Sequence, residues 1–459
     1  ETDARISWSV MSLLDPIAFI HDLSWDSLPS QVQNQARRCL LDTIGVALSG
    51  RQTELSQIIY SHVREVYAGQ GSSLWLDGRE VSKPGAALAH GTTIDALDMH
   101  DGHPQTKGHA GAAVVPALFA ALPAHGPTGI SGQEFLAALV VGYEVALRAG
   151  MALHATSPDY HSSGAWNALG CAAVCARLLG LTREQTRHSL GMAEYHGPRS
   201  QMMRCIDHPT MLKDGSGWGA MTGVSAAMLA RSGFTGAPAL TVEEDAVQEI
   251  WSTLGNVWEM DNLYFKPYAI CRWAQPAVEG MLLLQTKHCI AAKDVFRIEV
   301  RTFHQGVCLA GRFPENTEQA QYSIAYPLAA AMYAGRLGYR ELSGEILQDQ
   351  DVCILASKVE VSEDEKMSAC FPQERWARVQ VSMNGGQIFD SGPVQAKWDA
   401  QDPPSDQELR EKFRQLAREA VESQLAEEME EAVWKCAESH DVQSLMRMFT
   451  SSPYYKLLS

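Results

Sequence analysis

The chain has no cysteine pair at CxxC spacing, no Lys/Arg-rich stripe and no glycine-rich phosphate loop, and each absence removes a class of function. Its ten cysteines are scattered over 459 residues, a pattern that fits free thiols in a reducing compartment, so a cytoplasmic protein is expected. Cys171 and Cys175 fall on one helical face without a His or acidic ligand pair beside them, as small core residues do. GxGxxG after a strand, GxSxG and HExxH are all missing, which argues against nucleotide cofactors, serine hydrolysis and a zinc protease site. No cofactor or metal is therefore expected, although His100 and His103 leave a metal site as an alternative. A formal charge of −17 without a basic stripe excludes a nucleic-acid surface. No stretch reads as the ~20 apolar residues of a membrane span. The start, ETDARISWSVMSLLDPIAFIHD, lacks the basic region, apolar core and cleavage site of a signal peptide.

The length exceeds one ordinary core, and 46% hydrophobic residues supply material for two domains. From Asp15 to about Arg231 apolar positions recur at three- and four-residue spacing, which predicts helix after helix. Ser30 is an expected helix cap with a stop at Gly50, and Ser131/Glu134 and Thr182/Gln185 have capping-box spacing. After Tyr268 the texture changes. Phe296, Ile298 and Val300 alternate with charged residues in VFRIEVRTF, Trp376–Met383 alternates likewise, and Asn384-Gly385 turns that strand into QIFD. Leu355 to Val361 is a further strand candidate, with helix expected at 319–337 and 341–348. Helix returns from Pro404 to Phe449, with Leu409, Phe413, Leu416 and Ala420 on one stripe. The expected fold is mostly α with a smaller α+β domain: a large all-helical domain from residues 1–267 and 400–459, with 268–399 inserted.

The chain is organised around Leu97–Ala113, LDMHDGHPQTKGHAGAA, a polar loop between two apolar helical runs. It holds Asp98, His100, Asp101, His103, Lys107 and His109 within a dozen residues. Charged groups held that deep need partners or a ligand. One reading is a self-satisfied cluster in which the carboxylates hold the histidines; the other is a site. Two more stretches share its geometry. In YHSSG before WNALGCAAVCARLLG and in MLKDG before GWGAMTGVSAAMLA, a basic side chain, His161 or Lys213, stands just ahead of an apolar helix, as His109 does. Unpaired amides and the positive end of the dipole attract carboxylates there and disfavour a second positive charge, which lowers the pKa of the basic group. Arg204, Lys266 and Arg272 are further candidates for anion binding; Arg272 is equally suited to forking onto a carboxylate or to bridging the domains. Tyr326 stands in YSIAYPLAAAMYAG.

Taken together, LDTIGVALSG, AHGTTIDALDMHDGH, GHAGAAVVPAL, VVGYEVALRAG, HSSGAWNALG, TMLKDGSGWGAMTG and FKPYAICRWAQPAVEG resemble the MmgE/PrpD family in order and spacing. The resemblance implies a cofactor-independent homodimer with a cleft between a large helical and a smaller α+β domain. Carried over by motif, its site positions are Asp98, His109, His161, Lys213 and Tyr326; the residues themselves, apart from the resemblance, offer Asp101, His103, Lys107, Arg204, Lys266 and Arg272 as candidates for holding the substrate. Two departures stand out from the family pattern: His100 replaces an Asp, with one residue more before His109, and Gln275 replaces a His after the Cys-Arg-Trp segment.

These departures turn the expectation toward the iminodisuccinate epimerase activity of the family. That activity is proton abstraction next to a carboxylate of a small dicarboxylate, with His161 and Lys213 as base and returning acid and Asp98 orienting His109 or Lys107. The alternatives are a hydro-lyase or decarboxylase of tricarboxylates, of the 2-methylcitrate dehydratase or cis-aconitate decarboxylase type, and a non-catalytic dimeric binding scaffold. Because no nucleotide or dedicated metal motif is legible, turnover should survive dialysis against a strong chelator. Loss that only a divalent ion restores would assign His100 and His103 to a metal.

Overall fold

The computed structural model describes residues 15–309 and 311–450. Most of the N-terminal stretch considered for a signal peptide lies outside the described residues. The first half of the chain folds as Pro16–Asp22 (α1), Ser30–Gly50 (α2), Glu54–Val66 (α3), Lys83–Asp95 (α4) and Gly111–Ala121 (α5). Gly132–Thr156 (α6), Gly164–Leu178 (α7), Arg183–His196 (α8), Met203–Asp207 (α9) and Ser216–Arg231 (α10) follow. A short antiparallel pair, Ala68–Ser73 (β1) with Glu80–Val81 (β2), interrupts what the sequence reads as purely helical. Its residues AGQGSS carry no apolar alternation, so the pattern rules have nothing to register.

The helix ends follow side-chain chemistry. Thr182 and Gln185 form the reciprocal capping box at α8, and the Ser131 hydroxyl accepts from the Glu134 amide at α6. Ser30 does not cap α2; Pro29 occupies that place and Ser30 is already helical, because proline's fixed φ suits a chain entering a helix.

α7 packs between α6 and α10, and α10 also lies on α4 and α8, so the apolar faces of these helices merge into one core. Helix α6 is long and apolar enough to cross a membrane, contrary to the sequence reading, yet 94% of its apolar window is buried inside the protein. It also carries a fully buried i,i+4 pair, Glu144 and Arg148. Arg148 donates onward to the Val257 carbonyl (2.7 Å) and the Thr253 hydroxyl (2.9 Å), while Glu144 accepts from the Met260 amide (3.0 Å). The buried polar groups of α6 thereby hold the segment around 250–260.

The second half carries a four-stranded sheet in the order Val359–Glu363 (β4), Val295–Thr302 (β3), Trp376–Met383 (β5) and Ile388–Gln395 (β6). β3 runs parallel to β4 and antiparallel to β5, and β5–β6 is the expected hairpin. Ile298 and Val300 face the core as the alternation requires, but Phe296 is exposed. A register shift between Val295 and Arg297 turns Phe296 outward and Val295 inward. Leu355 and Ala356 belong to the helix Gln350–Ser357 and the strand starts only at Val359. Asp349 caps that helix by accepting from the Asp351 and Val352 amides, and a capped helix outweighs the β-branched run that follows. The chain then returns, as expected, with the helix Asp406–Ala420 lying on α2. The approach is close: a Cβ on Gly45 would stand 3.1 Å from the Phe413 ring.

Within that contact Lys412 Nζ donates to Asp42 Oδ1 (2.6 Å) and to the Met99 carbonyl of the polar loop (2.8 Å). Burial pushes the Asp42 carboxyl up and the Lys412 amine down, so each ion depends on the other. Lys412→Ala should cost about 3–5 kcal/mol in urea unfolding, as expected when a buried partner is left unpaired. Lys412→Met with Asp42→Asn should recover most of that loss.

Candidate functional site

Three helices begin at one place. α5, α7 and α10 start at Gly111, Gly164 and Ser216, and none has a side-chain cap bond from its own N-cap residue, so their first amides are free for other partners. The turns ahead of them are tied together. The Ser163 hydroxyl accepts from the His109 amide (2.9 Å), Asn167 donates to the His109 carbonyl (3.2 Å) and the Gly164 amide donates to the Asp214 carbonyl (3.0 Å). The turns that carry His109, His161 and Lys213 are thereby linked, and the three side chains are buried, at 6%, 7% and 5% exposure. Asp98, Lys107 and Lys213 adopt left-handed φ of 49°, 51° and 50°, a conformation that costs a non-glycine residue about 1–3 kcal/mol and collects at functional sites. At Gly111 no side chain fits: a Cβ would stand 2.1 Å from the Tyr143 hydroxyl oxygen.

His109 sits at the centre. Its Nδ1 contacts the Asp101 carbonyl (2.5 Å) and its Nε2 faces Asp214 Oδ2 (3.2 Å). Burial, with Lys266 and His100 nearby, holds the imidazole well below its usual value. Burial, with Asp95 and Asp98 nearby, pushes the Asp214 carboxyl up to about 7. A neutral ring that donates Nδ1–H to a carbonyl has a lone pair at Nε2, and a protonated Asp214 is the donor that satisfies it. Asp95 supports this pair from behind, accepting from the Ser216 amide at the start of α10 (2.9 Å) and holding His100 Nε2 (3.2 Å). The His100 ring meets His109 edge to face at 4.3 Å.

Much of the loop is satisfied by the scaffold. Asp98 does not orient His109 or Lys107; it pairs with Lys266. Burial opposes the Lys266 charge, yet Asp98 and Tyr264 hold its proton above the ordinary lysine range. Asp101, pushed to about 6 by burial, accepts from the Tyr143 hydroxyl (2.6 Å). His103 faces Glu259 at 3.4 Å, away from His100, and among the described residues no group of three or more His, Cys, Asp or Glu is placed to hold a metal ion. Arg272 is held by the scaffold within residues 268–399: it reaches Asp399 (2.8 Å) and the Lys397 carbonyl (3.0 Å), with Gln275 beside it at 3.2 Å. Tyr326 is not brought to the cluster; its hydroxyl donates to the Ile346 carbonyl (2.9 Å).

Four residues earlier, Tyr322 lies under Lys213, whose Nζ is 5.1 Å from the ring centre. Lys213 also donates to the Gln321 side-chain oxygen. Gln321 is oriented by donating its amide hydrogens to the Ala96 and Leu97 carbonyls (both 3.1 Å). Among the described residues Lys213 and Lys107 have no carboxylate partner, and Lys107 rests over the Tyr160 ring at 4.4 Å. His161 donates through Nδ1 to the Asp159 carbonyl (2.9 Å), which leaves Nε2 as the basic atom. A cavity of about 210 Å³ opens beside Lys213 and Ser162, lined also by Cys205, His208, Trp218 and the exposed Arg204. The Ser162 hydroxyl is buried and unpartnered. A larger cleft of about 500 Å³ lies beside the Arg187–Glu243 pair, but it contains none of the clustered groups. Asp214, Gln321 and Tyr322 are the members that sequence reasoning missed. Asp214 adjoins Lys213 in MLKDG and Tyr322 opens YSIAY, so adjacency to a chosen residue is the signal that would have found them.

Fold and site together define a mostly helical protein with a buried histidine–carboxyl pair at linked helix starts. Residues 17–257 match the MmgE/PrpD N-terminal domain and residues 268–438 the MmgE/PrpD C-terminal domain; the chain belongs to the MmgE/PrpD family. It is 25% identical to a cis-aconitate decarboxylase-like protein of Aspergillus oryzae, over 94% of this chain and 96% of the relative. It is 25% identical to the cis-aconitate decarboxylase of Aspergillus terreus, over 93% of each. Identity to the mitochondrial 2-methylcitrate dehydratase of Yarrowia lipolytica is 24%, over 81% of this chain and 76% of the relative. These relatives carry the names of lyases and none that of iminodisuccinate epimerase, so they favour the lyase alternative over the epimerase expectation.

The folded Asp214 carboxyl keeps its proton up to about pH 7, whereas the ordinary aspartate value is 3.8. Between those values the folded state binds more protons than the unfolded chain, so this group's stabilising contribution, full at low pH, is lost as pH rises toward 7. Asp214→Asn should therefore gain on the wild type by more than ~1 kcal/mol from pH 4 to pH 7.5. Urea midpoints of both proteins across that range check it; a constant difference would place the carboxyl in the ordinary range.

Proposed function

We propose that the chain is a cofactor-independent lyase acting on a small tricarboxylate, of the 2-methylcitrate dehydratase or cis-aconitate decarboxylase type. The observation that carries this reading is the buried Lys213, which has no carboxylate partner among the described residues and adjoins Asp214 of the neutral His109–Asp214 pair. A buried basic group with no counter-ion is costly unless an anionic ligand completes it. A scaffold without chemistry has no use for a carboxyl raised to about 7 beside a histidine lowered below its normal range.

Either lyase reaction suits these groups. In dehydration a base removes a proton from the carbon next to a carboxylate, the carbon–oxygen bond breaks, and an acid returns a proton to the departing hydroxide as water. In decarboxylation an acid delivers a proton to carbon while the electrons of a carbon–carboxylate bond shift into the carbon frame and carbon dioxide leaves. Dehydration needs a neutral base and both reactions need a proton donor and cations beside the carboxylates. His161, with Nε2 free of its backbone bond, is assigned as base and Lys213 as the proton carrier. Asp214 and His109 buffer the charge between them.

A second reading, epimerisation of a dicarboxylate such as iminodisuccinate, draws on one observation: His161 and Lys213 stand at the starts of two different helices, α7 and α10, so they could serve opposite faces of one carbon. Proton NMR in heavy water separates the two. The lyase reading expects an alkene or carbon dioxide from 2-methylcitrate or cis-aconitate. Deuterium entering iminodisuccinate with no change in unsaturation or carbon count, and no turnover of either tricarboxylate, would establish the epimerase instead. His161→Ala and Lys213→Ala should each lower turnover at least ~100-fold, the scale of losing a general acid or base, with melting temperatures close to wild type.

A further inference from the structure

Lysines and arginines buried in this protein have carboxylates almost wherever they lie: Lys266 has Asp98, Lys412 has Asp42, Arg272 has Asp399 and Arg148 has Glu144. Arg375 does not. It stands just ahead of β5 at 4% exposure, its Nε is buried without an acceptor, and no carboxylate among the described residues pairs with it. What surrounds the guanidinium is aromatic: the Tyr264 ring centre is 5.8 Å away and that of Phe371 5.6 Å.

Arg272 also lies by the Tyr264 ring, 4.5 Å from its centre, but that arginine is committed to Asp399. Tyr264 itself is clamped to the polar loop by two backbone bonds with Gly102, of 3.0 and 2.9 Å. Arg375 is thus delivered from the sheet-bearing half of the chain to the edge of the loop that carries Lys107 and His109. Its charge is among those that depress both groups, which places it in their field. Stacking on rings stabilises a guanidinium but supplies no acceptor for its five N–H donors. The fork geometry that these donors keep open is the one that takes a carboxylate with two parallel hydrogen bonds.

We propose that Arg375 is a carboxylate-binding residue, holding one carboxylate of the substrate from the sheet-bearing side while the acid–base groups act from the helical side. The assignment rests on the reading above that the ligand is a small polycarboxylate. It explains why a buried arginine is left unpaired, since its counter-ion arrives with the ligand. An unpaired buried cation is also a stability cost in the free protein. A structural arginine and a ligand-binding one therefore predict opposite effects of neutral replacement.

The test uses tricarballylate, propane-1,2,3-tricarboxylate, which has neither the hydroxyl nor the alkene that turnover needs, so binding is read apart from activity. Calorimetry on the full chain compares the wild type with Arg375→Met and Arg375→Lys, and melting is recorded without ligand. Wild type should bind tricarballylate. Arg375→Met should bind at least tenfold more weakly, Arg375→Lys should fall between, and free Arg375→Met should melt at or above the wild-type temperature. Arg375-dependent binding with no turnover of any polycarboxylate would uphold this assignment and remove the lyase reading. Turnover by the wild type with tricarballylate affinity within twofold in Arg375→Met would do the reverse. The assignment is also overturned if wild type binds no tricarballylate, or if Arg375→Met melts several degrees lower and Arg375→Lys restores none of the binding.

Discussion

The contact between Asp214 and His109 is the constraint on which the rest of the site depends. Neither group would titrate as it does in water, and neither would be tolerated alone at that depth. The carboxyl keeps a proton because burial and the neighbouring Asp95 and Asp98 make ionisation expensive; the imidazole stays neutral because burial and Lys266 make protonation expensive. The two conditions are compatible only if one hydrogen bond links them, and three helix starts have to converge to hold that geometry. Ser163, Asn167 and Gly164 provide the cross-links between the turns, and the left-handed backbone at Asp98, Lys107 and Lys213 is the local cost of aiming these side chains inward.

Around this centre the protein sorts its charges into two sets. Lys266, Lys412 and Arg272 are matched with carboxylates and serve as clamps: Lys266 and Lys412 fasten the polar loop to the segment around 266 and to the returning helix Asp406–Ala420, and Arg272 holds Asp399. Lys107, Lys213 and Arg375 are surrounded by aromatic rings and amides instead. A ring accepts a cation without cancelling its charge, so this second set keeps its attraction for an anion. The same residue types are thus neutralised by carboxylates in one set and left with their charge uncancelled in the other.

The helical and sheet-bearing halves have unequal parts in this arrangement. The helical half supplies the acid–base groups on rigid elements whose starts cannot drift independently, because α7 packs against both α6 and α10. The sheet-bearing half adds Gln321 and Tyr322 under Lys213, and Arg375 beside the Tyr264 that is bonded to Gly102.

By itself the sequence determined the helical periodicity, the capping box of α8, the β5–β6 hairpin, the return of the C-terminal helix and the three basic residues ahead of α5, α7 and α10. All of these are local: spacing along the chain sets which side chains share a face, and a residue's neighbours decide whether it ends a helix. The tertiary structure alone decided the partners. Lys412 and Asp42 are 370 positions apart, Lys266 and Asp98 are 168 apart, and no spacing rule links them. It also decided that Tyr322 and not Tyr326 reaches Lys213, that Phe296 faces outward at a register shift, that His100 and His103 part toward Asp95 and Glu259, and that Arg375 has no carboxylate among the described residues. Charge pairing inside a protein is set by desolvation and by distances of a few ångströms, and those come into being only when remote segments pack.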